Sequence, residues 1–239
     1  MANDVLLYSG GLDSFIAAAL LTPDTLLHVT MGGRYSTTET SHLTRPPGCP
    51  KPVTIHLPIG QWEREDLIVP GRNAFLALAA ANYGDTVHLA ATAGDRVTDK
   101  DGEFAARLNH LLAHIYAPQW WLPTGRPVEV RLPFKRWTKR EMVAEYLRRG
   151  LPAAALLDTF SCYSPTGDGD TLRECGRCKP CIRKWVALAA NGVTPRVDAS
   201  DAAREAVDRG DFNDRGAELA DVTAALTAPG TVQDTTTEV

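Results

Sequence analysis

The sequence predicts an α/β fold: a parallel sheet with helices on both faces, followed by a small helical region that holds a metal. Three observations predict it. Short apolar runs of strand length alternate with helix-like segments through most of the chain. A glycine pair separates the first such run from the first helix, at Ser9-Gly10-Gly11. Four of the five cysteines fall within twenty residues, at Cys162, Cys175, Cys178 and Cys181.

Each element follows from local patterning. Asp4 to Tyr8 reads as a buried strand, and Ser14 to Leu21 as a helix stopped by Thr22-Pro23. Thr25 to Met31 is a second strand. Residues 32–51 are polar and rich in Gly, Pro and Thr, which indicates a loop with room for a short helix. Pro52 to Leu57 is a third strand. Asn73 to Asn82 has strong helix propensity, with Gly84 as its C-terminal cap. Thr86 to Ala91 is a fourth strand, Gly102 to Tyr116 a helix, and Val128 to Leu132 a fifth strand. Thr138 to Gly150 is a helix with Thr138 and Glu141 at capping-box spacing and Gly150 as its stop. Beyond Val193 the periodic apolar content fades, leaving weak helices at Asp201 to Asp208 and Gly216 to Leu226, and Thr231 to Val239 has a disordered composition. We therefore expect a catalytic domain over residues 1–195 and an acidic extension over residues 196–239.

The bulk properties exclude several classes. At 239 residues, 44% hydrophobic and 23% charged, the chain has the make-up of a soluble globular protein with a substantial core. Its apolar stretches are too short to span a bilayer, and no export signal heads the sequence, so a cytoplasmic protein is expected. From Asp198 onward there are ten acidic residues and three arginines; residues 1–197 hold 22 basic and 19 acidic groups. Neither imbalance is strong enough to signal a nucleic-acid binder.

The chemistry begins at Tyr8-Ser9-Gly10-Gly11-Leu12-Asp13-Ser14. Glycines let the backbone turn sharply and approach a ligand. N–H groups in the turn and the first helical turn lack helical partners and face an anion, aided by the helix dipole. Ser9 and Ser14 add hydroxyls, and Asp13 braces the loop or faces a metal ion that accompanies the ligand. The loop is not of the GxxxxGK[ST] type. It resembles the SGGxDS loop of the PP-loop ATP pyrophosphatase superfamily. That resemblance implies a Rossmann-like PP-loop/HUP fold, ATP as ligand with Mg2+, and activation of a carboxylate or carbonyl oxygen before attack by a nucleophile.

The spacing Cys162-x12-Cys175-x2-Cys178-x2-Cys181 suits a closed tetrahedral zinc site. Arg173, Arg177, Lys179, Arg183 and Lys184 would offset the charge of four bound thiolates. An iron–sulfur cluster, a redox pair and a nucleic-acid zinc ribbon are the competing readings. Cys49 has no partner and reads as a loop thiol.

Together the two motifs resemble the QueC family of 7-cyano-7-deazaguanine synthases. Val69-Pro70-Gly71-Arg72-Asn73 is similar to its VPGRN element, Thr138-Lys139-Arg140-Glu141-Met142-Val143 to its TKxEIV element, and Ser161-Cys162-Tyr163 with Cys175 to Cys181 to its cysteine motif. The resemblance implies conversion of 7-carboxy-7-deazaguanine to the nitrile with ATP and ammonia through an amide. It points to Arg72, Asn73 and Lys139 as catalytic candidates, each weighed against helix capping or a solvated helix face, and to self-association, a homodimer being one form. One segment departs from the family. Its DYSGYPDCRPEF-like loop is replaced by Thr92 to Phe104, where Asp95 or Asp99 matches the start and Glu103-Phe104 the end, while the aromatic centre is missing.

Three alternatives follow from these residues. The enzyme stops at the amide or uses another carboxylate; it is a tRNA thiolase, with Cys49 as the one cysteine outside the cluster; or it is a non-catalytic zinc-stabilised binding module. His110 and His114 read as a surface pair, and Trp120-Trp121 as core packing or an oligomer contact in preference to a base-stacking surface.

Overall fold

The computed structural model describes residues 3–33, 36–167, 171–213 and 215–227. Five strands form one sheet: β1 (Asp4–Leu7), β2 (Thr25–Thr30), β3 (Val53–His56), β4 (Thr86–His88) and β5 (Glu129–Arg131). Their order is β3-β2-β1-β4-β5 and every pairing is parallel. The order reverses between β1 and β4. In open α/β sheets, such a reversal opens a crevice at the carboxyl ends of the strands.

Alternation along the strands assigns the two faces. Val5, Leu27, Val29, Val87 and Leu89 pack with Ala77 and Ala80 of α3 (Arg72–Ala80) and with Leu108 and Leu112 of α4 (Gly102–Ile115). Leu6, Leu26 and His28 lie on the opposite face, all within 1% of full burial. Helix α1 (Leu12–Leu21) buries Leu12, Phe15, Ile16, Ala17 and Ala18. It ends at Thr22, left-handed at φ 47°, whose N–H returns to the Ala18 carbonyl. The loop after β2 does contain a short helix, α2 (Ser36–Ser41).

One local expectation fails. The helix closes on Ala81 in right-handed geometry, so Gly84 is not its cap. Gly84 is required by close approach instead: a Cβ there would lie 2.4 Å from the Asn3 carbonyl oxygen and from Val5 Cγ2.

The chain divides into two compact units. The first runs to Trp137 and regains Asp158–Phe160; the second holds Thr138–Leu157 and the described residues from Ser161 on. The second unit is helical: α5 (Lys139–Arg148), α6 (Ala153–Leu157), α7 (Lys179–Ala189), α8 (Ser200–Asp208) and α9 (Gly216–Thr227). Its core joins Ile182, Trp185, Val186 and Ala189 of α7 to Ala203 and Ala206 of α8, Phe212, and Val222 and Ala225 of α9. Trp185 alone, 3% exposed, contributes on the order of 2–3 kcal/mol of burial free energy. The alanines explain the weak sequence signal of α8 and α9. Small residues let helices approach closely but add little to an apolar periodicity. Thr231 to Val239 lies outside the described residues.

Candidate active site and metal centre

The turn after β1 is preformed. Gly10 has φ +74°, and a Cβ there would sit 3.3 Å from the His42 carbonyl oxygen and from Leu43 Cδ1. Gly11 starts α1 with no side-chain cap. The N–H of Ser9 donates to Ser14 Oγ at 3.3 Å, that hydroxyl donates to the Gly11 carbonyl at 3.0 Å, and the Gly11 N–H reaches Ser9 Oγ at 3.4 Å. The two hydroxyls lie 3.2 Å apart. Ser9, Gly10, Gly11 and Ser14 are thus drawn into one tight turn at the head of α1, at the carboxyl end of β1.

Buried groups hold this turn from behind. Tyr8 donates its N–H to the Leu27 carbonyl at 2.8 Å and its phenol to the Thr44 carbonyl. Burial raises the Tyr8 pKa, so the phenol stays a donor. His28, 1% exposed, has Nδ1 3.0 Å from the Tyr8 carbonyl and Nε2 3.4 Å from the Thr40 hydroxyl. Burial lowers its pKa. A neutral ring protonated at Nδ1 satisfies both contacts. Cys49 is 4% exposed, its thiol directed at the Ala18 carbonyl at 3.4 Å, and burial raises its pKa. A buried thiol with a raised pKa is a poor nucleophile, which removes the support for a thiolase.

Arg72 and Asn73 open α3, also at the carboxyl edge of the sheet, behind Gly71 at φ +68°. Arg72 is half-buried, and its backbone N–H donates to the Val69 carbonyl at 3.1 Å. Asn73 is 5% exposed; its side-chain nitrogen Nδ2 has no hydrogen-bond partner among the described residues. A buried amide without a partner costs on the order of 1–3 kcal/mol, and a ligand oxygen would remove that cost. The Asn73 N–H is not open to a phosphate, because Asp99 Oδ2 accepts it at 3.3 Å. The start of α3 is therefore already occupied by a carboxylate of the chain.

Asp99 belongs to the segment that departs from the family loop. The remainder of that segment is well braced. Asp95 Oδ2 accepts from the Thr92 N–H at 2.9 Å and lies 3.6 Å from Lys100 Nζ. Lys135 Nζ donates to the Thr92 and Asp95 carbonyls at 3.2 and 2.7 Å. Asp101 caps α4 by accepting from the Phe104 N–H at 2.7 Å. Beside this loop a cleft is lined by Gly102, Ala105, Leu132, Pro133, Arg136 and Trp137. Sequence reasoning missed Lys135 and this cleft, since neither lies in a motif. The one available signal was the pair Lys135-Arg136 next to Trp137.

In the second unit, Lys139 is the first residue of α5, half-buried, and follows a complete capping box. Thr138 Oγ1 accepts from the Glu141 N–H at 3.3 Å, and Glu141 Oε2 from the Thr138 N–H at 2.7 Å.

The four cysteines converge there too. All their sulfurs lie within 4.8 Å of one another, with separations of 3.4 Å (Cys178 to Cys181), 3.9 Å (Cys178 to Cys162) and 4.0 Å (Cys175 to Cys181). A tetrahedral zinc with bonds of about 2.3 Å places its sulfurs about 3.8 Å apart, so the donor set fits that ion. Backbone N–H groups of Ser164 and Cys175 point at Cys162 Sγ, and those of Arg177 and Cys178 at Cys175 Sγ, at 3.2–3.4 Å. Such donors stabilise thiolates. Gly176, at φ +69°, makes the knuckle possible, because a Cβ would fall 2.8 Å from the Asp198 carbonyl oxygen. The basic residues near the cluster do not all serve its charge. Lys184, 6% exposed, pairs with Glu174 at 2.9 Å, and Arg183 pairs with Glu218 at 2.8 Å. Glu174 also accepts the Ser161 N–H at 2.6 Å, tying the segment before Cys162 to Lys184 of α7.

Other candidates are also placed. His110 and His114 are exposed on α4. Trp120 and Trp121 are 90% and 50% exposed, which rules out packing in this chain's own core.

The model of the family described as queuosine biosynthesis protein QueC matches residues 53–192, more than half of the chain. The chain belongs to the QueC family. Its relatives include the 7-cyano-7-deazaguanine synthase of Marinobacter nauticus, 27% identical over 80% of this chain and 94% of that protein. The Agrobacterium fabrum protein of the same name is 29% identical over 62% of this chain and 61% of its own length. The Archaeoglobus fulgidus one is 36% identical over 53% and 49%. The QueC match covers the Arg72–Asn73 helix, the α5 motif and the four cysteines, and stops before α8 and α9.

Proposed function

We propose that this chain is an ATP-dependent carbon–nitrogen ligase that converts 7-carboxy-7-deazaguanine and ammonia to 7-cyano-7-deazaguanine. The observation that carries the reading is the preformed Ser9–Ser14 turn at the head of α1, in a chain whose QueC relatives bear that activity in their names. A carboxylate is a poor electrophile because its leaving group would be oxide. Attack of that oxygen on a phosphorus of ATP breaks a phosphoanhydride bond, expels pyrophosphate or the nucleoside diphosphate, and turns the oxygen into a good leaving group. Ammonia then adds at the carbon and the phosphorus-bound oxygen departs, giving the amide. A second activation at the amide oxygen, followed by loss of that oxygen and two N–H protons, gives the nitrile. The protein's share is positioning and charge stabilisation.

Roles follow for the named residues. The backbone of Gly10, Gly11 and Leu12 and the hydroxyls of Ser9 and Ser14 bind phosphate oxygens, Tyr8 fixes the turn, and Asp13 faces the Mg2+ that accompanies ATP. Asn73 Nδ2 donates to nucleotide or substrate, and Arg72 and Lys139 supply positive charge. The cleft beside the Thr92–Phe104 loop takes the flat ring against Trp137 and Pro133, with Arg136 near its carboxylate. Cys162, Cys175, Cys178 and Cys181 hold a structural Zn2+, closed to substrate. Residues 1–195 carry the catalytic apparatus and residues 196–239 form an extension to it. The active species is a homodimer, with Trp120 and Trp121 in the contact.

The decisive experiment incubates the purified protein with Mg-ATP, ammonium and 7-carboxy-7-deazaguanine and follows products by mass spectrometry. The nitrile is expected. Accumulation of the amide alone would place the enzyme on a shorter reaction, and no ATP-dependent product would defeat the assignment.

A further inference from the structure

The cleft beside the Thr92–Phe104 loop lies wholly within the first unit and is lined by two cations, Lys135 and Arg136, next to Trp137. At about 460 Å³ it falls in the range of small-molecule sites and has room for a bicyclic ring. The turn after β5 that carries these residues is well anchored. Lys135 donates its N–H to the Leu132 carbonyl at 3.2 Å, and Trp137 donates to the Phe134 carbonyl at 2.9 Å. The Trp137 carbonyl accepts from the Ala93 N–H at 2.9 Å, and its ring meets buried Phe134 edge-on at 5.7 Å.

Among the described residues, no carboxylate pairs with Lys135 or Arg136. The adjoining loop holds four acidic side chains, and each is committed elsewhere. Asp95 accepts from the Thr92 N–H and lies 3.6 Å from Lys100, and Asp99 accepts the Asn73 N–H. Asp101 caps α4, and Glu103 pairs with Arg107 at 2.7 Å. The Lys135 ammonium donates to the Thr92 and Asp95 carbonyls, which fix its place without cancelling its charge. An ammonium has three donors, so one remains. Arg136 is exposed while Lys135 is half-buried, and a half-buried charge is screened less by salt and solvent. An aromatic wall, a net positive charge and a spare donor suit a flat ring bearing a carboxylate better than the same ring bearing a neutral amide. We infer that Lys135 is the specificity-determining residue of this cleft: its ammonium selects the carboxylate of the ring substrate over the neutral amide that follows it in the reaction.

This rests on the cleft binding the deazaguanine ring, as proposed above. The test measures equilibrium binding of 7-carboxy-7-deazaguanine and of its 7-carboxamide to the full chain, with thermal melting of each variant alongside. The unaltered chain is expected to prefer the carboxylate about tenfold, the worth of one charge-assisted hydrogen bond in a partly exposed site. Lys135→Gln keeps a neutral donor for the loop carbonyls and removes the charge. It should weaken carboxylate binding about tenfold and leave the amide within about twofold. Lys135→Met, uncharged and of similar reach, should lower the preference in the same way, so the test does not hang on one replacement. Lys135→Arg keeps the charge and should keep most of the preference. Equal weakening of both ligands by Lys135→Gln would reduce Lys135 to a brace of the loop and overturn the proposal. An unaltered chain that binds the amide as tightly as the carboxylate would overturn it too. If the unaltered chain binds neither compound, the ring assignment of the cleft fails, and the proposal with it.

Discussion

At the residue scale, the phosphate turn makes a sharp demand on Gly10. An alanine there would have to hold φ near +74° and push against the His42 carbonyl. The left-handed region costs a non-glycine residue about 1–2 kcal/mol, before any crowding. Gly10→Ala should therefore lower stability by at least that amount in thermal melting, and weaken ATP binding as well in equilibrium binding if the turn opens to relieve the strain. Ser14→Ala removes a hydroxyl that bridges Ser9 and Gly11, and should raise the KM for ATP about tenfold with little loss of stability. His28 gives a pH test. Its pKa is lowered from 6.5 in the folded chain, so below about that pH the unfolded chain binds more protons and stability falls as the pH drops. His28→Gln should flatten the fall of stability below about pH 6.5 in denaturant titrations.

At the element scale, strand and helix order was legible because each element carries its own period or stop signal. Thr138 and Glu141 announced the α5 capping box from their spacing alone. Helix α7 went unread because its N-cap is Cys178 and its first turn holds Pro180 and Cys181, which read as metal chemistry and not as a helix start, although Pro suits that position. The four metal candidates were legible from spacing. The contacts of Asp99 and Lys135 were not, since they join residues 26 to 43 positions apart in the chain. Asp99 can be tested at this scale. It supplies a carboxylate to the start of α3, worth about 0.5–1 kcal/mol. Asp99→Ala should lower stability by roughly that amount in denaturant titration, and Asp99→Asn by less.

At the scale of the whole molecule, the two units rest on different terms. The first is a sheet between two helical layers, with a continuous apolar core. The second is a set of short helices, several of them alanine-faced, organised around four sulfurs. A structural zinc site is worth on the order of 10–16 kcal/mol in isolated peptides, which rivals the stability of a domain. Cys178→Ser, or a strong chelator, should therefore reduce far-ultraviolet helical signal and lower the melting temperature by many degrees. Elemental analysis should find about one zinc per chain before the change and none after it. Retention of full helicity without metal would show that the helices stand unaided.

The placement of α7 carries a kinetic consequence. Its N-cap is Cys178 and its first turn contains Cys181, so two sulfurs of the cluster straddle the point where the helix must begin. Starting a helix is the slow and unfavourable step, because several residues are fixed before the first hydrogen bond repays them. An ion gripping both sulfurs performs that fixing. If the cluster holds zinc, as proposed, the folding rate of the second unit should rise with free zinc concentration until another step becomes limiting.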